Sequence, residues 1–271
     1  MKTAPTPCIG VFDSGVGGLT VLKAISHAAP DAALAYLADS AHAPYGERSA
    51  AFIIERCLAI AEHLFVQRGA TALVVACNTA TAHAVRSLRA RWPQHPIVGI
   101  EPGIKPAVAA SRNGRIGVLA TPATIASARY QVLLAKHARH AQVFNQACPG
   151  LADLIEAGAL DGKALRALVE QCCAPLRQAG VDTVLMGCTH YPLIQPLLQT
   201  ALGPQVHLLD IESAVAQRAA ALWRQAAGEE LSAHPTPRSI MLGATGRTDV
   251  LQTLACVALG RSDLHVEHVA V

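Results

Sequence analysis

Short apolar runs alternate along the whole chain with longer stretches in which apolar positions recur every three or four residues. The runs read as strands buried on both faces, and the stretches as amphipathic helices. Their alternation predicts βαβ units around parallel sheet, an α/β fold. Strands are expected over 8–12, 33–38, 71–76, 97–100, 115–120, 181–186, 206–209 and 239–243, with a last one near 264–270. A helical pattern after Gly18 runs to about Ala29, where Pro30-Asp31 break it. Another carries apolar residues at 53, 54, 57, 58, 61, 64 and 65 and is closed by Gly69. A third holds Ala84, Val85, Leu88 and Trp92 on one face before Pro93 stops it. Further helices are expected from 124 to about 141, over 164–178, 213–226 and 248–259, with 231–237 as a loop.

Composition narrows this picture. At 271 residues the chain suggests two domains or one large α/β domain. It is 52% hydrophobic and 15% charged, so a packed core is expected rather than a disordered tail. The net charge of +3 is small, and the one local basic run, Arg86 to Arg91, reads as the solvated face of a helix; nucleic acid is not an expected partner. No apolar run approaches the roughly 18 residues of a membrane span, so no membrane association is expected. Residues 1–8 lack the apolar core of a signal peptide. The eight cysteines show no C-x-x-C spacing and read as reduced thiols of a cytoplasmic protein.

Two of those cysteines stand apart. Val74-Val75-Ala76-Cys77-Asn78-Thr79 and Val184-Leu185-Met186-Gly187-Cys188-Thr189-His190 are strand-like runs that end on a thiol followed by small polar residues. That place is the carboxyl end of a strand, where ligands collect in parallel α/β sheets. Cys57, Cys172, Cys173 and Cys256 lie on helical patterns and read as packing residues. A helix start after Cys77 or Cys188 is expected to lower the thiol pKa. One thiol at the mouth of each of two similar halves can reach a single carbon from opposite faces. Gly15-Val16-Gly17-Gly18 resembles a phosphate-binding turn with Asp39 downstream, but the third glycine of G-x-G-x-x-G falls on Thr20. The plainer reading is a loop that hugs a small ligand, with Asp13 and Ser14 offering a carboxylate and a hydroxyl. His190 is placed to tune Cys188 or to make a structural turn. No histidine spacing suggests zinc, no G-x-S-x-G elbow is present, and no lysine stands out for Schiff-base chemistry.

Val11 to Leu19 (VFDSGVGGL), Ala43-Pro44-Tyr45-Gly46, Ala76 to Ala80 (ACNTA), Ile116 to Thr124 (IGVLATPAT) and Gly187 to Pro192 (GCTHYP) together resemble bacterial glutamate racemase of the aspartate/glutamate racemase superfamily, in order from about residue 8 to 214. The resemblance implies racemisation of glutamate with no cofactor and no metal, Cys77 and Cys188 exchanging protons with the substrate. It implies two facing, pseudo-symmetric α/β domains with the site between them: 1–100 plus 211–271, and an inserted 101–210. It assigns substrate contacts to Asp13, Ser14, Tyr45, Gly46, Asn78, Thr79, Thr189 and His190. By its own placement Thr121 is expected to offer a further donor, and Tyr45, Gly46 and Ser14, on loops beside the cleft, are expected to hold the side-chain carboxylate. Asp13 and His190 become helpers of the thiols, joined by Glu156, although Gly150-Leu151-Ala152-Asp153 replaces the bulkier residues usual there. Supply of D-glutamate to the peptidoglycan wall is the implied role, with glutamate the only implied partner and a homodimer allowed. Two rivals stay open: another amino-acid racemase, such as one for aspartate, and a binding protein that kept the fold and lost turnover.

Overall fold

The computed structural model describes residues 8–227 and 239–271. Its first strand, β1 (Cys8–Asp13), is buried at every position, as are β2 (Ala33–Ala38) and nearly all of β3 (Ala70–Val75). That is why these strands read as unbroken apolar runs: helices cover both faces of the sheet. With β4 (Ile97–Gly99) they lie in the order β2-β1-β3-β4, all parallel. The second sheet repeats that order with β6 (Gln142–Ala147), β5 (Arg115–Ala120), β7 (Thr183–Met186) and β8 (His207–Leu209), again all parallel. Each half thus winds the same way. Asp13 at the end of β1 corresponds to the end of β5 before Thr121, and Cys77 after β3 corresponds to Cys188 after β7. The chain then returns to the first sheet, where β9 (Ile240–Ala244) pairs with β2 and β10 (Val266–His268) pairs with β9.

Helices α1 (Leu19–Ala28), α2 (Ala50–Glu62) and α3 (Asn78–Arg91) follow the expected stripes. The stretch ahead of Gly69 ends in one π turn, His63–Gln67, which still buries Leu64 and Phe65. Helices α8 (Lys163–Gln178), α10 (Glu212–Ala227) and α11 (Asp249–Leu259) also lie where the period placed them. Four elements carry no expectation from the sequence: α4 (Ile104–Ala110), β6, α7 (Leu151–Glu156) and α9 (Gln195–Leu202). The helix expected from 124 to 141 is two, α5 (Pro122–Ala126) and α6 (Ala128–His137), because Ser127 turns extended and caps the second through Tyr130 N. The expected loop 231–237 and the first seven residues lie outside the described residues.

One apolar core runs through both halves, joining Val11, Val74 and Leu22 to Val118, Leu185 and Ile211. Separate cores fill the outer face of each sheet. Among the described residues no helix is long and apolar enough to cross a membrane.

Candidate active site

Cys77 follows β3 and caps α3. Its sulfur accepts from Ala80 N–H at 3.4 Å, and its thiol donates to Ser14 Oγ at 3.7 Å. The helix start was expected to lower this pKa. Burial outweighs it: the thiol, 5% exposed, is pushed up to about 12, with the Asp13 charge adding to the effect. Charge on Cys188 raises it further, so the two sulfurs sense each other across the site. The next residue, Asn78, is 3% exposed, and neither its amide nitrogen nor its oxygen has a protein partner. An unsatisfied buried amide costs about 1–3 kcal/mol.

Cys188 lies beyond β7 and precedes a single 3₁₀ turn, Tyr191–Ile194, rather than an α-helix. What faces it is His190, with Nδ1 3.7 Å from Sγ. The imidazole is 2% exposed, and its Nε2 lies 2.7 Å from Glu156 Oε2. Burial opposes charge on this ring, yet the bonds to Cys188 and Glu156 prevail and raise its pKa well above the ordinary imidazole value. Glu156 is the last residue of α7. Gly150, at φ 74°, turns the chain into that helix, and Leu151, Ala152 and Ile155 bury its inner face. The small residues of this segment therefore still deliver the carboxylate.

The halves are stitched together by the same groups. Asp13 is fully buried; its Oδ1 accepts from Gly15 N–H at 2.9 Å and Ser14 Oγ at 3.2 Å, and its Oδ2 from Thr189 Oγ1 at 2.9 Å. Burial raises its pKa, against the pull of His190 and these donors. Glu156 Oε2 also accepts from Val16 N–H at 2.8 Å. Thr79 of the first half and Thr121 of the second bring their hydroxyls to 3.0 Å.

The motif model of the Asp/Glu/Hydantoin racemases matches residues 9–219. The chain belongs to that racemase family. It is 48% identical over 259 residues to the glutamate racemase of Ectopseudomonas mendocina, covering 95% of this chain and 97% of that one. It is 53% identical over 210 residues to the glutamate racemase of Pseudomonas aeruginosa PAO1, covering 78% and 79%. Among solved structures it is similar to Escherichia coli glutamate racemase in complex with L-glutamate and the activator UDP-MurNAc-Ala, with TM-score 0.86, 32% identity and coverage of 98% and 99%.

In this racemase the glycine-rich turn packs against the second half. A Cβ on Gly15 would stand 1.9 Å from Glu156 Oε2, and one on Gly17 would stand 2.7 Å from both His190 Nδ1 and Thr189 Oγ1. The turn hugs the other half of the molecule, not a phosphate. Tyr45 is held from the first half: its ring is 1% exposed and its phenol donates to Asp39 Oδ2 at 2.6 Å. Its neighbour Gly46 packs on Thr121, where a Cβ would meet the Thr121 side chain at 3.1 Å.

Three polar residues at the site were not singled out by sequence reasoning for what they do. Thr124, fully buried, bonds Thr121 at 3.0 Å and Thr79 at 3.2 Å, completing a hydroxyl cluster across the halves. Its signal was present in the Thr121-Pro122-Ala123-Thr124 block, where Thr121 caps α5 by accepting the Thr124 N–H at its Oγ1. Tyr36 donates to Gly15 O at 2.5 Å, fixing the turn from a neighbouring strand. Asp39 collects four side-chain partners, His42, Tyr45, Arg56 and Thr245, the last two too far along the chain for a local pattern to announce. Among the described residues, no group of three or more His, Cys, Asp and Glu is arranged to hold a metal ion.

Proposed function

We propose that the chain interconverts L- and D-glutamate with two thiols and no metal or organic cofactor. What carries this reading is the pair of buried cysteines at equivalent strand ends of two halves wound alike. The names and extent of the relatives support glutamate as the substrate.

Inverting an α-carbon removes a weakly acidic proton from one face and delivers another to the opposite face. Two groups in opposite protonation states do this without either crossing the substrate. With L-glutamate, Cys188 as thiolate takes the α-proton and Cys77 as thiol donates to the other face; with D-glutamate the roles reverse. The raised Cys77 pKa suits a resting thiol. The raised His190 pKa suits an imidazolium that stabilises the Cys188 thiolate and is itself held by Glu156. Charge that develops on the substrate α-carboxylate is met by Asn78, Thr79, Thr121 and Thr189 and by backbone N–H groups at the start of α3. Binding substrate would also satisfy the Asn78 amide. Asp13 holds Ser14 and Thr189 in place, and Ser14 with the backbone of Tyr45-Gly46 receives the side-chain carboxylate. Closure of the two halves dries the site and raises thiolate basicity. The product is the D-amino acid of the peptidoglycan wall, and we assign the chain to that supply, in the cytoplasm.

The test is direct: purified protein with L-glutamate and no pyridoxal phosphate should approach the racemate, followed by polarimetry. Retention of rate in a chelator is expected. Faster turnover of aspartate than of glutamate, or dependence on added pyridoxal phosphate, would sink the assignment.

A further inference from the structure

Asp39 follows β2, its N–H donating to Asp13 O at 3.0 Å, and is fully buried. Its Oδ1 takes hydrogen bonds from Thr245 Oγ1 at 2.7 Å and Arg56 Nη2 at 2.9 Å, and lies 3.0 Å from His42 Nδ1. Its Oδ2 accepts from the Tyr45 phenol at 2.6 Å and from Arg56 Nε at 3.0 Å. Arg56 reaches on to Val271 O at 2.8 Å. Burial alone would push this carboxyl up, but the Arg56 guanidinium and the hydroxyl donors hold it below the usual carboxylate range. A carboxylate offers about four lone-pair sites, so Asp39 is saturated. Charged groups are costly to bury, and apolar packing at a strand end would serve stability as well. The cluster therefore calls for a reason beyond the sheet.

That reason lies in what the cluster grips. Tyr45 is tied to the first half by its phenol alone among its side-chain polar contacts, and the next residue, Gly46, rests on Thr121 of the second half. The order Asp39, Tyr45, Gly46, Thr121 runs from the rigid sheet to the mouth of the site. We propose that Asp39 is a positioning residue that, through the Tyr45 phenol, fixes the backbone of residues 44–46 where the distal carboxylate of the substrate docks. It sets affinity for the five-carbon diacid and leaves proton transfer to the thiols. This rests on the glutamate reading above.

The experiment compares Tyr45→Phe, Asp39→Asn and the double variant with the wild-type protein. Each single variant should raise KM for L-glutamate roughly tenfold with kcat held within about threefold, a loss of binding rather than of chemistry. The double variant should be no worse than Asp39→Asn alone, because both changes break one connection. Amide hydrogen exchange without ligand should quicken about tenfold over residues 43–48 in Tyr45→Phe, while β1 and β3 stay protected. Additive KM effects, a fall in kcat with KM unchanged, or unaltered exchange over 43–48 would overturn the proposal. If Asp39→Asn fails to fold, Tyr45→Phe decides alone, since it leaves the Arg56, His42 and Thr245 contacts in place. A wild-type protein that ignores glutamate would sink the substrate assignment instead, and the exchange measurement would still judge Asp39.

Discussion

The surroundings of the two thiols differ more than their matched positions suggest. Cys77 caps a 14-residue helix and faces a closed circuit of neutral hydroxyls and a buried carboxylate: Ser14, Asp13 and Thr189. Cys188 precedes a 3₁₀ turn that separates it from α9, and it faces an imidazole. Behind that imidazole stands Glu156, 14% exposed, on the wall of a cavity of about 450 Å³ between residues 40–44 and 246–251. Burial and the Asp13 charge hold the proton on one thiol; the other is offered a partner able to carry positive charge. Similar topology fixes where the sulfurs sit, whereas the residues behind them set the charge that each sulfur faces.

The strongest way to break this comparison is to remove each sulfur's acidity. Serine keeps the shape but is a poor base near neutral pH. Cys77→Ser and Cys188→Ser should each lose racemisation by roughly 10³-fold or more, a value within reach of lost general acid–base catalysis. Residual α-proton exchange in deuterated water should favour opposite enantiomers in the two variants. Near-normal racemisation by either one would remove that thiol from the mechanism.

A subtler difference is expected from His190→Asn and Glu156→Gln. The enantiomers have equal free energy in water, so kcat/KM must fall by the same factor in both directions. Any asymmetry has to be read elsewhere. His190→Asn should lower kcat/KM about 100-fold and Glu156→Gln about tenfold. In both, the α-deuterium isotope effect should grow with L-glutamate and shrink with D-glutamate, because the Cys188 step becomes limiting. Equal isotope effects would mean that His190 serves both thiols alike.

Asn78 sharpens the comparison on the Cys77 side. Asn78→Ala removes an amide left without a protein partner, so thermal stability should hold or rise by about 1 kcal/mol. KM should increase about tenfold in the same variant, as expected where binding function is kept at a cost in stability. A clear loss of melting temperature would show that Asn78 is a packing residue.

The smallest effect concerns pH. The Cys77 pKa is raised from 9.0 to about 12, so the folded state holds this proton more tightly than the unfolded chain does. That stabilisation is complete below pH 9 and fades as pH rises toward 12. The alkaline limb of melting temperature against pH should therefore be shallower in Cys77→Ser than in the wild type. At neutral pH, iodoacetamide should modify Cys188 before Cys77, and peptide mass mapping can read the order. Preferred labelling of Cys77 would invert the assignment of acid and base.

How much of this was legible in the sequence follows from how local each cause is. Cys77-Asn78-Thr79 announced itself because an apolar run, a thiol and a helix start are contiguous. Strand β6 escaped because it is a half-exposed edge, Gln142-Val143-Phe144-Asn145-Gln146-Ala147, with too little apolar alternation to read. Helix α7 is six residues long, under two turns, so no period could reveal it. Glu156 was placed by resemblance alone, and its partners Val16 and His190 lie 140 and 34 positions away. Asp39 was visible as a strand end, but its partners at 56 and 245 are remote in the chain. The Gly15-Val16-Gly17-Gly18 turn was recognised as a place of close approach, while what approaches it depends on the second half.

That turn also sets a mechanical tolerance for the whole molecule. At Gly15 and Gly17 the two halves meet with no room for one carbon atom. An alanine there would act as a shim, wedging the lobes apart at the point where Glu156 and His190 are seated. The gap between the lobes is thus gauged by two missing methyl groups. Attempts to enlarge the pocket for bulkier substrates should leave this gauge untouched and alter the walls elsewhere.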